Sequence, residues 1–248
     1  MIILKTPEQI QIMREGGKIL AGIMKELEKE IKPGIETRYL DKVALGLVFR
    51  YRAKPSFKGY MEFPACLCVS LNEEVVHGLP SDRKLKEGDI VSLDLGILFK
   101  GFHTDMAITL PVGKVKPETL KLIKTTKKAL DIAIKKAKIG NTFGDIESAI
   151  QEFAEGKGYN VVRELCGHGI GKDLHEDPQV LNFGKKGIGP KLAEGMVFAI
   201  EPMLTMGDWR IKRAKDGYGF ETKDQSLSAH FEHTIAITKS GHEILTKT

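Results

Sequence analysis

Cysteine, tryptophan and long apolar runs are what this chain has least of. Three cysteines occur in 248 residues, Cys66, Cys68 and Cys166. An odd number, with two of them only two apart, is no disulfide framework, and no four-ligand zinc spacing accompanies them. The scarcity fits a reducing cytoplasm. No apolar run approaches the length of a membrane-spanning helix. The first residues, MIILKTPEQIQIMREGG, lack the apolar centre of a signal peptide and pass straight into helix. The net charge is +5, without a block of like charges that would read as an interaction tail. Most lysines therefore read as solvated faces. With 42% hydrophobic and 29% charged residues the chain is expected to be an ordinary soluble, cytoplasmic globular protein. Its length suits one large domain or two small ones.

What is present begins with a hairpin. Residues 90–109 read IVSLDLGILFKGFHTDMAIT. Leu93, Leu95 and Ile97 alternate with Ser92, Asp94 and Gly96, and the return leg alternates Met106, Ile108 and Leu110 with Asp105, Ala107 and Thr109. The turn falls at Phe99-Lys100-Gly101-Phe102. Across an even-numbered loop, paired positions sum to an odd number. Asp94 and Asp105 thus share a face, directly opposite or diagonal. Two carboxylates so placed repel, and burial would drive one to protonate. A solvated face would relieve the strain; so would a cation between them. The neighbours Ser92, Gly96 and Ala107 are small and carry no balancing charge, which counts against a solvated face and for a cation between the carboxylates.

The chain also repeats. KLKEGDIVSLD (84–94) and KLAEGMVFAIE (191–201) align so that Asp94 falls on Glu201. KPGIET (32–37) and KIGNT (138–142) each end one helix and begin another, with Thr37 and Thr142 as expected N-caps and Gly34 and Gly140 at the preceding C-termini. Cys68 to His77 and Cys166 to His175 span the same distance. Each half reads helix, helix, strand, strand: 7–31, 37–52, 65–71 and 89–97, then 117–138, 143–157, 160–166 and 196–200. Two ααββ halves, roughly 7–110 and 117–240, would join their strands into one sheet with helices outside. Asp94 and Glu201 would then face each other across a pseudo-axis.

Further chemistry lies in the second half. In HFEHTIAIT (230–238) Glu232 shares a face with Thr234, Ala236 and Thr238, and in the best sequence match it falls two residues earlier than Asp105 would. CGHGIGKDLHEDP (166–178) sets His168 between two glycines, with His175 seven residues on. It lacks the spacing of a phosphate loop. Four carboxylates and one histidine are too acidic a set for a lone zinc. They suit two divalent ions about 3.5–4 Å apart, and such a pair supports hydrolysis.

HGLP (77–80), the Asp94–Asp105 hairpin, CGHGIG, HEDP, FAIEPM (198–203) and SAHFEHTIAIT together resemble type I methionine aminopeptidases over nearly the whole chain. That resemblance implies an α+β, pita-bread fold: pseudo-two-fold ααββ halves forming a central curved antiparallel sheet with helices outside, as a single catalytic domain over 1–248. It implies a hydrolase, a metal-dependent aminopeptidase, that removes initiator methionine from nascent proteins with a small second residue and a free amine. Asp94 would chelate one metal, His168 and Glu201 the other, and Asp105 and Glu232 would bridge both. Glu201 would also handle the proton of the attacking water, His77 would contact the scissile amide, and His175 would donate to the carbonyl oxygen. Two divalent ions are implied (Co, Mn, Fe or Zn), with a monovalent cation near Asn72 and Ser228.

Tyr60, Phe63, Cys68 and Tyr218 match positions of the methionine pocket. Phe57 and Leu174 stand where the family often has cysteine and phenylalanine, and Met61-Glu62 where His-Gly is common. Those departures bear on entrance shape and rate. Cys66 reads as core. His103 and His242 read as surface residues, His233 as packed away from the site, and Trp209 as a loop or edge-hairpin residue. The expected partners are nascent N-termini, with transient ribosome contact, no membrane and a monomeric state. Alternatives are a proline-specific pita-bread peptidase, which usually carries an extra N-terminal domain, or an inactive relative that binds RNA or the ribosome.

Overall fold

The computed structural model describes residues 1–247. Helix α1 (Pro7–Glu30) starts where the sequence dictates. Thr6 and Gln9 cap one another reciprocally, and Pro7 occupies a first-turn position that needs no N–H donor. α2 (Thr37–Arg50) follows a turn at Gly34, whose φ of 90° favours glycine. Its N-cap is Glu36 rather than the expected Thr37. The Thr37 hydroxyl is drawn away to the 81 backbone, donating to Ser81 O and accepting from Ser81 N. Then come β1 (Lys54–Pro55), β2 (Cys68–Leu71), β3 (Glu74–Val76) and the hairpin β4 (Ile90–Phe99) and β5 (Phe102–Pro111). The hairpin turns on Lys100 and Gly101, at φ of 48° and 84°, the left-handed pair that two-residue hairpin loops require.

The second half opens with α3 (Pro117–Lys136) and α4 (Phe143–Glu155). Thr142 caps α4 in a capping box with Asp145, as expected. The expected strand 160–166 divides in two: β6 (Asn160–Val161) and β7 (Cys166–Gly169) belong to different sheets. Next are β8 (Glu176–Leu181), β9 (Val197–Ile200), β10 (Met203–Thr205), β11 (Ile211–Arg213), β12 (Phe220–Thr222), β13 (Ser228–His230), β14 (His233–Thr238) and β15 (Gly241–Ile244).

The central sheet is assembled from pieces. One sheet orders β1-β4-β2 with β5 also on β4; another orders β15-β14-β9-β7-β8. Smaller sheets, β13-β10-β6 and β11-β12-β3, complete it. α1 packs on β4 and β5 and α3 on β13, β10, β9 and β5, so the helices cover the outside. Their apolar faces bury Leu20, Ile23, Met24 and Leu27 in the first half and Leu122, Ala129, Leu130 and Ala133 in the second. A fully buried leucine contributes about 2 kcal/mol relative to exposure, so these stripes fix where the helices sit.

The two halves share one register. Val91 pairs with Leu71 and Leu110; 107 residues on, Phe198 pairs with Gly169 and Ile235. Followed along the strands, this register equates Ala107 with Glu232, Asp105 with His230 and Thr109 with Thr234. Glu232 thus falls two residues later than Asp105, not earlier as the bare sequence match implies. The seam between halves is a mutual backbone pair: Glu232 N donates to Ala107 O at 2.9 Å and Ala107 N to Glu232 O at 3.4 Å. Equivalent threonines flank it. Thr234 Oγ1 accepts from Asp105 N at 2.9 Å and donates to Asp105 O at 2.8 Å. Thr109 Oγ1 does the same for His230, at 2.8 Å each way. Both hydroxyls are buried, so all these backbone groups are satisfied without water.

Candidate metal centre

The β4–β5 register settles how the two aspartates meet. Asp94 pairs with Ala107 and Asp105 with Gly96, so the carboxylates are diagonal neighbours. The face they share is closed over rather than solvated: Asp94 is 7% and Asp105 3% exposed. The small neighbours have separate reasons. A side chain at Gly96 would meet Phe57 Cε1 at 2.8 Å and Ser56 Cβ at 2.9 Å, so Gly96 is small to admit that loop rather than an ion. The Ser92 hydroxyl is bonded to Thr109 Oγ1.

His168 owes its position to the glycines around it. A Cβ at Gly167 would lie 2.4 Å from Ala199 O, and one at Gly169 2.0 Å from Asp177 O, so β7 can be squeezed between β8 and β9 only without side chains there. His168 Nδ1 lies 2.9 Å from Gly169 O. A carbonyl only accepts, so Nδ1 carries the proton and Nε2 presents its lone pair. Burial, with His175 adjacent, pushes the pKa of His168 down to about 3, which keeps that lone pair free at neutral pH. Nε2 faces Glu201 Oε1 at 3.8 Å.

Glu201 and Glu232 close the ring of acids. Ligand atoms of Asp105, His168 and Glu232 lie within 4.8 Å of one another. Burial raises the Glu201 pKa to about 8 and, aided by Glu201, that of Asp105 to about 7. It raises Asp94 and Glu232 well above the carboxylate range, with repulsion from the other acids adding to burial. Asp94 Oδ1, Asp105 Oδ1 and Glu232 Oε1 are buried without a hydrogen-bond partner. Orphaned, mutually repelling oxygens beside an imidazole lone pair are a donor set completed by divalent cations.

The acids form the floor of a cavity of about 640 Å³. Its walls hold the predicted His77, His175, Tyr60, Phe63, Cys68 and Tyr218, together with Phe57, Met61, Glu62 and Leu174. His77 stands at φ 59° before Gly78, where a Cβ would strike Val69 O at 2.4 Å. Its ring opens onto the cavity, yet the surrounding protein desolvates it and pushes its pKa down to about 4. His175 meets the His168 ring at 4.3 Å between centroids, and its Nδ1 lies 2.8 Å from Tyr60 Oη. Burial lowers its pKa too. Phe63 and Tyr218 pack edge to face at 5.6 Å, and the Tyr218 hydroxyl donates to Glu62 O. Burial, reinforced by Asp94, holds Cys68 as a thiol.

Asn72 and Ser228 also meet, with Ser228 N donating to Asn72 O at 2.9 Å. The Asn72 side chain is occupied by Ile90 N and Asp89 Oδ1, and Ser228 Oγ donates to Leu204 O. His233 points away and bonds Thr246 Oγ1, as alternation predicts. His103 is half-buried against Ser56 Oγ, and His242 lies half-buried on β15, so neither is fully at the surface. Trp209 precedes β11, with the guanidinium carbons of Arg163 and Arg210 5.2 and 5.0 Å from its ring centroid. Sequence reasoning missed His230, whose Nε2 lies 3.4 Å from Glu201 Oε2. Burial pushes its pKa down to about 3. Alternation could have found it, since it stands two residues from Glu232. It also missed the ion pair of Lys5 with Glu176, buried beside His175.

A model of metallopeptidase family M24 matches residues 11–239. The chain is 48% identical to a methionine aminopeptidase of Clostridium perfringens, over 99% of both chains. It is 48% identical to methionine aminopeptidase 1 of Bacillus subtilis, over 100% of both. The crystal structure of methionine aminopeptidase from Thermotoga maritima matches the pita-bread architecture with a TM-score of 0.98, at 46% identity and full coverage of both. A prolidase from Pyrococcus furiosus matches at TM-score 0.81 and 26% identity, over 99% of this chain but 66% of its own.

Proposed function

We infer the function from one premise: the chain belongs to metallopeptidase family M24 and requires a divalent metal. It is a methionine aminopeptidase, which removes the initiator methionine from proteins with a small second residue. The observation that carries the site assignment is the meeting of Asp105 and Glu232 with His168 in a cavity that Asp94, Glu201, His77 and His175 also line, with oxygens of Asp94, Asp105 and Glu232 left buried and unpartnered.

In this reading Asp94 would hold one divalent ion and His168 and Glu201 a second, with Asp105 and Glu232 as shared ligands. Bound there, divalent ions such as Mn, Fe, Co or Zn supply the acidification of a water and the polarisation of a carbonyl. The protein's own groups do the rest. Glu201 takes the water's proton, a task a carboxylate lining the cavity beside His168 can perform. With Tyr60 donating to Nδ1, His175 keeps its proton on Nε2 and offers it to the carbonyl oxygen as charge develops. His77, held neutral, hydrogen-bonds the scissile amide. Tyr60, Phe63, Cys68 and Tyr218, backed by Phe57 and Leu174, receive the flexible thioether side chain. Met61 and Glu62, both at positive φ, shape the entrance.

We place the work on nascent chains in the cytoplasm, with the protein as a monomer. Lysine faces such as Lys121, Lys124 and Lys128 of α3 suit transient contact with the anionic ribosome. The Asn72–Ser228 junction is the proposed place for a monovalent cation. The deciding experiment is hydrolysis of Met-Ala-Ser with added Mn or Co, beside formyl-Met-Ala-Ser, Met-Pro and Xaa-Pro peptides. Cleavage of Met-Ala-Ser, and of neither the formylated peptide nor the Xaa-Pro peptide, is expected. Selective Xaa-Pro cleavage would reassign the chain to the proline-specific branch, and no turnover with any metal would leave it a binding module.

A further inference from the structure

The cavity is lined by acids, histidines, aromatics and a few small or apolar residues, and by a single cation. Arg213, the last residue of β11, is the only lysine or arginine lining it among the described residues. Its place is fixed by the small sheet: Arg213 pairs with Phe220 of β12, and Phe220 pairs with Val76 of β3, the residue before His77. The guanidinium carbon lies 4.8 Å from the Phe220 ring centroid, and that ring meets the His77 ring at 6.0 Å. Arg213 Nη1 donates to Gly217 O at 2.8 Å.

An arginine stacked on an aromatic face and tied by one N–H keeps its remaining donors in a fixed plane, the geometry that matches a carboxylate. Among the described residues Arg213 is in no ion pair. The nearby Asp216 is committed elsewhere, accepting from Leu79 N at 3.2 Å, Tyr218 N at 2.8 Å and Gly219 N at 2.9 Å. Through the Phe220 ring, Arg213 is carried to the side of the cavity that holds His77, where the departing part of a peptide must pass.

We propose that Arg213 is a specificity residue that binds a carboxylate on the departing portion of the substrate. The carboxylate comes from an acidic side chain just past the second residue or from the C-terminus of a short peptide. This rests on the aminopeptidase reading. The interaction is rim-exposed, so an effect of about threefold to tenfold is expected, carried by KM and weakened by salt.

The test measures kcat/KM of the metal-loaded wild type, R213Q and R213K on four peptides: Met-Ala-Asp amide, Met-Ala-Lys amide, Met-Ala-Ser amide and Met-Ala-Ser free acid. The wild type should prefer Asp over Lys and the free acid over the Ser amide. R213Q should bring both ratios close to one, and R213K should retain part of each. Loss of only one ratio identifies which source of carboxylate Arg213 reads. Ratios that are equal in wild type and R213Q overturn the inference. Failure of the wild type to cleave any of the four would instead fault the activity assignment.

Discussion

The two halves of the molecule share a frame and differ in chemistry. Their strands follow one register, and their threonines, Thr109 and Thr234, clasp the opposite half in the same way. The functional side chains at equivalent positions are nonetheless unlike. Asp94 answers Glu201, but Asp105 answers His230 and Ala107 answers Glu232. Carried along β2 and β7, which pair Leu71 and Gly169 at the equivalent place, Ser70 answers His168. The first half therefore brings two acids on one long hairpin. The second brings two acids and the histidines on short strands interrupted after Ile200 and before His233. Symmetry supplies the place where carboxylates meet, and departures from symmetry make the two sides of that place chemically unlike.

The most damaging way to break this arrangement is at the symmetric pair. Glu201→Gln keeps the shape of the side chain but removes the proposed proton acceptor. Steady-state kinetics with saturating Mn should show a loss of about 10²–10⁴-fold in kcat, with the thermal transition unchanged or raised because one buried acid is gone. Retention of full activity would overturn the role given to Glu201.

The threonine clasps test the frame itself. Thr234→Val and Thr109→Val each strip two bonds from buried backbone groups, and each should destabilise by about 1–3 kcal/mol in denaturant unfolding. The serine variants, which keep the hydroxyl, should recover most of that loss. The comparison sharpens at the metal. Thr234→Val disturbs the segment that carries Asp105 and should weaken Mn binding measured by calorimetry, whereas Thr109→Val should weaken it less. Equal effects would mean that the seam has no bias toward the first half.

The smallest effect concerns His77. Its pKa is pushed down to about 4 because the surrounding protein desolvates the charged ring even though the side chain is exposed to the cavity. Between about pH 4 and 6.5 the unfolded chain therefore binds more protons at this residue than the folded one, so stability falls as pH falls through that window. Contact with the cavity's solvent screens the penalty. NMR titration should find the His77 ring neutral down to about pH 4, and protonation near 6.5 would contradict the environment described.

Much of this was legible in the sequence because it is local. Alternation and a Lys-Gly turn define the β4–β5 hairpin, and capping residues define α1 and α4. The repeated KL-x-EG segments align Asp94 with Glu201. What was illegible depends on tertiary competition. Asn160 and Val161 look like the start of a longer strand, but they pair with β10 for two residues and release the chain before β7. Thr37 looks like a cap until Ser81 takes its hydroxyl. Gly96 looks like space for an ion until Ser56 and Phe57 are seen against it. Arg213 lies in a polar stretch with no periodic signal, and only the pairing of β11, β12 and β3 brings it to His77.

The central claim is that acids from two unlike halves build one centre for two ions. An anomalous difference map from crystals soaked in Mn tests it directly. The account predicts two peaks about 3.5–4 Å apart, enclosed by Asp94, Asp105, His168, Glu201 and Glu232. A single peak, or manganese bound away from these five residues, would contradict it.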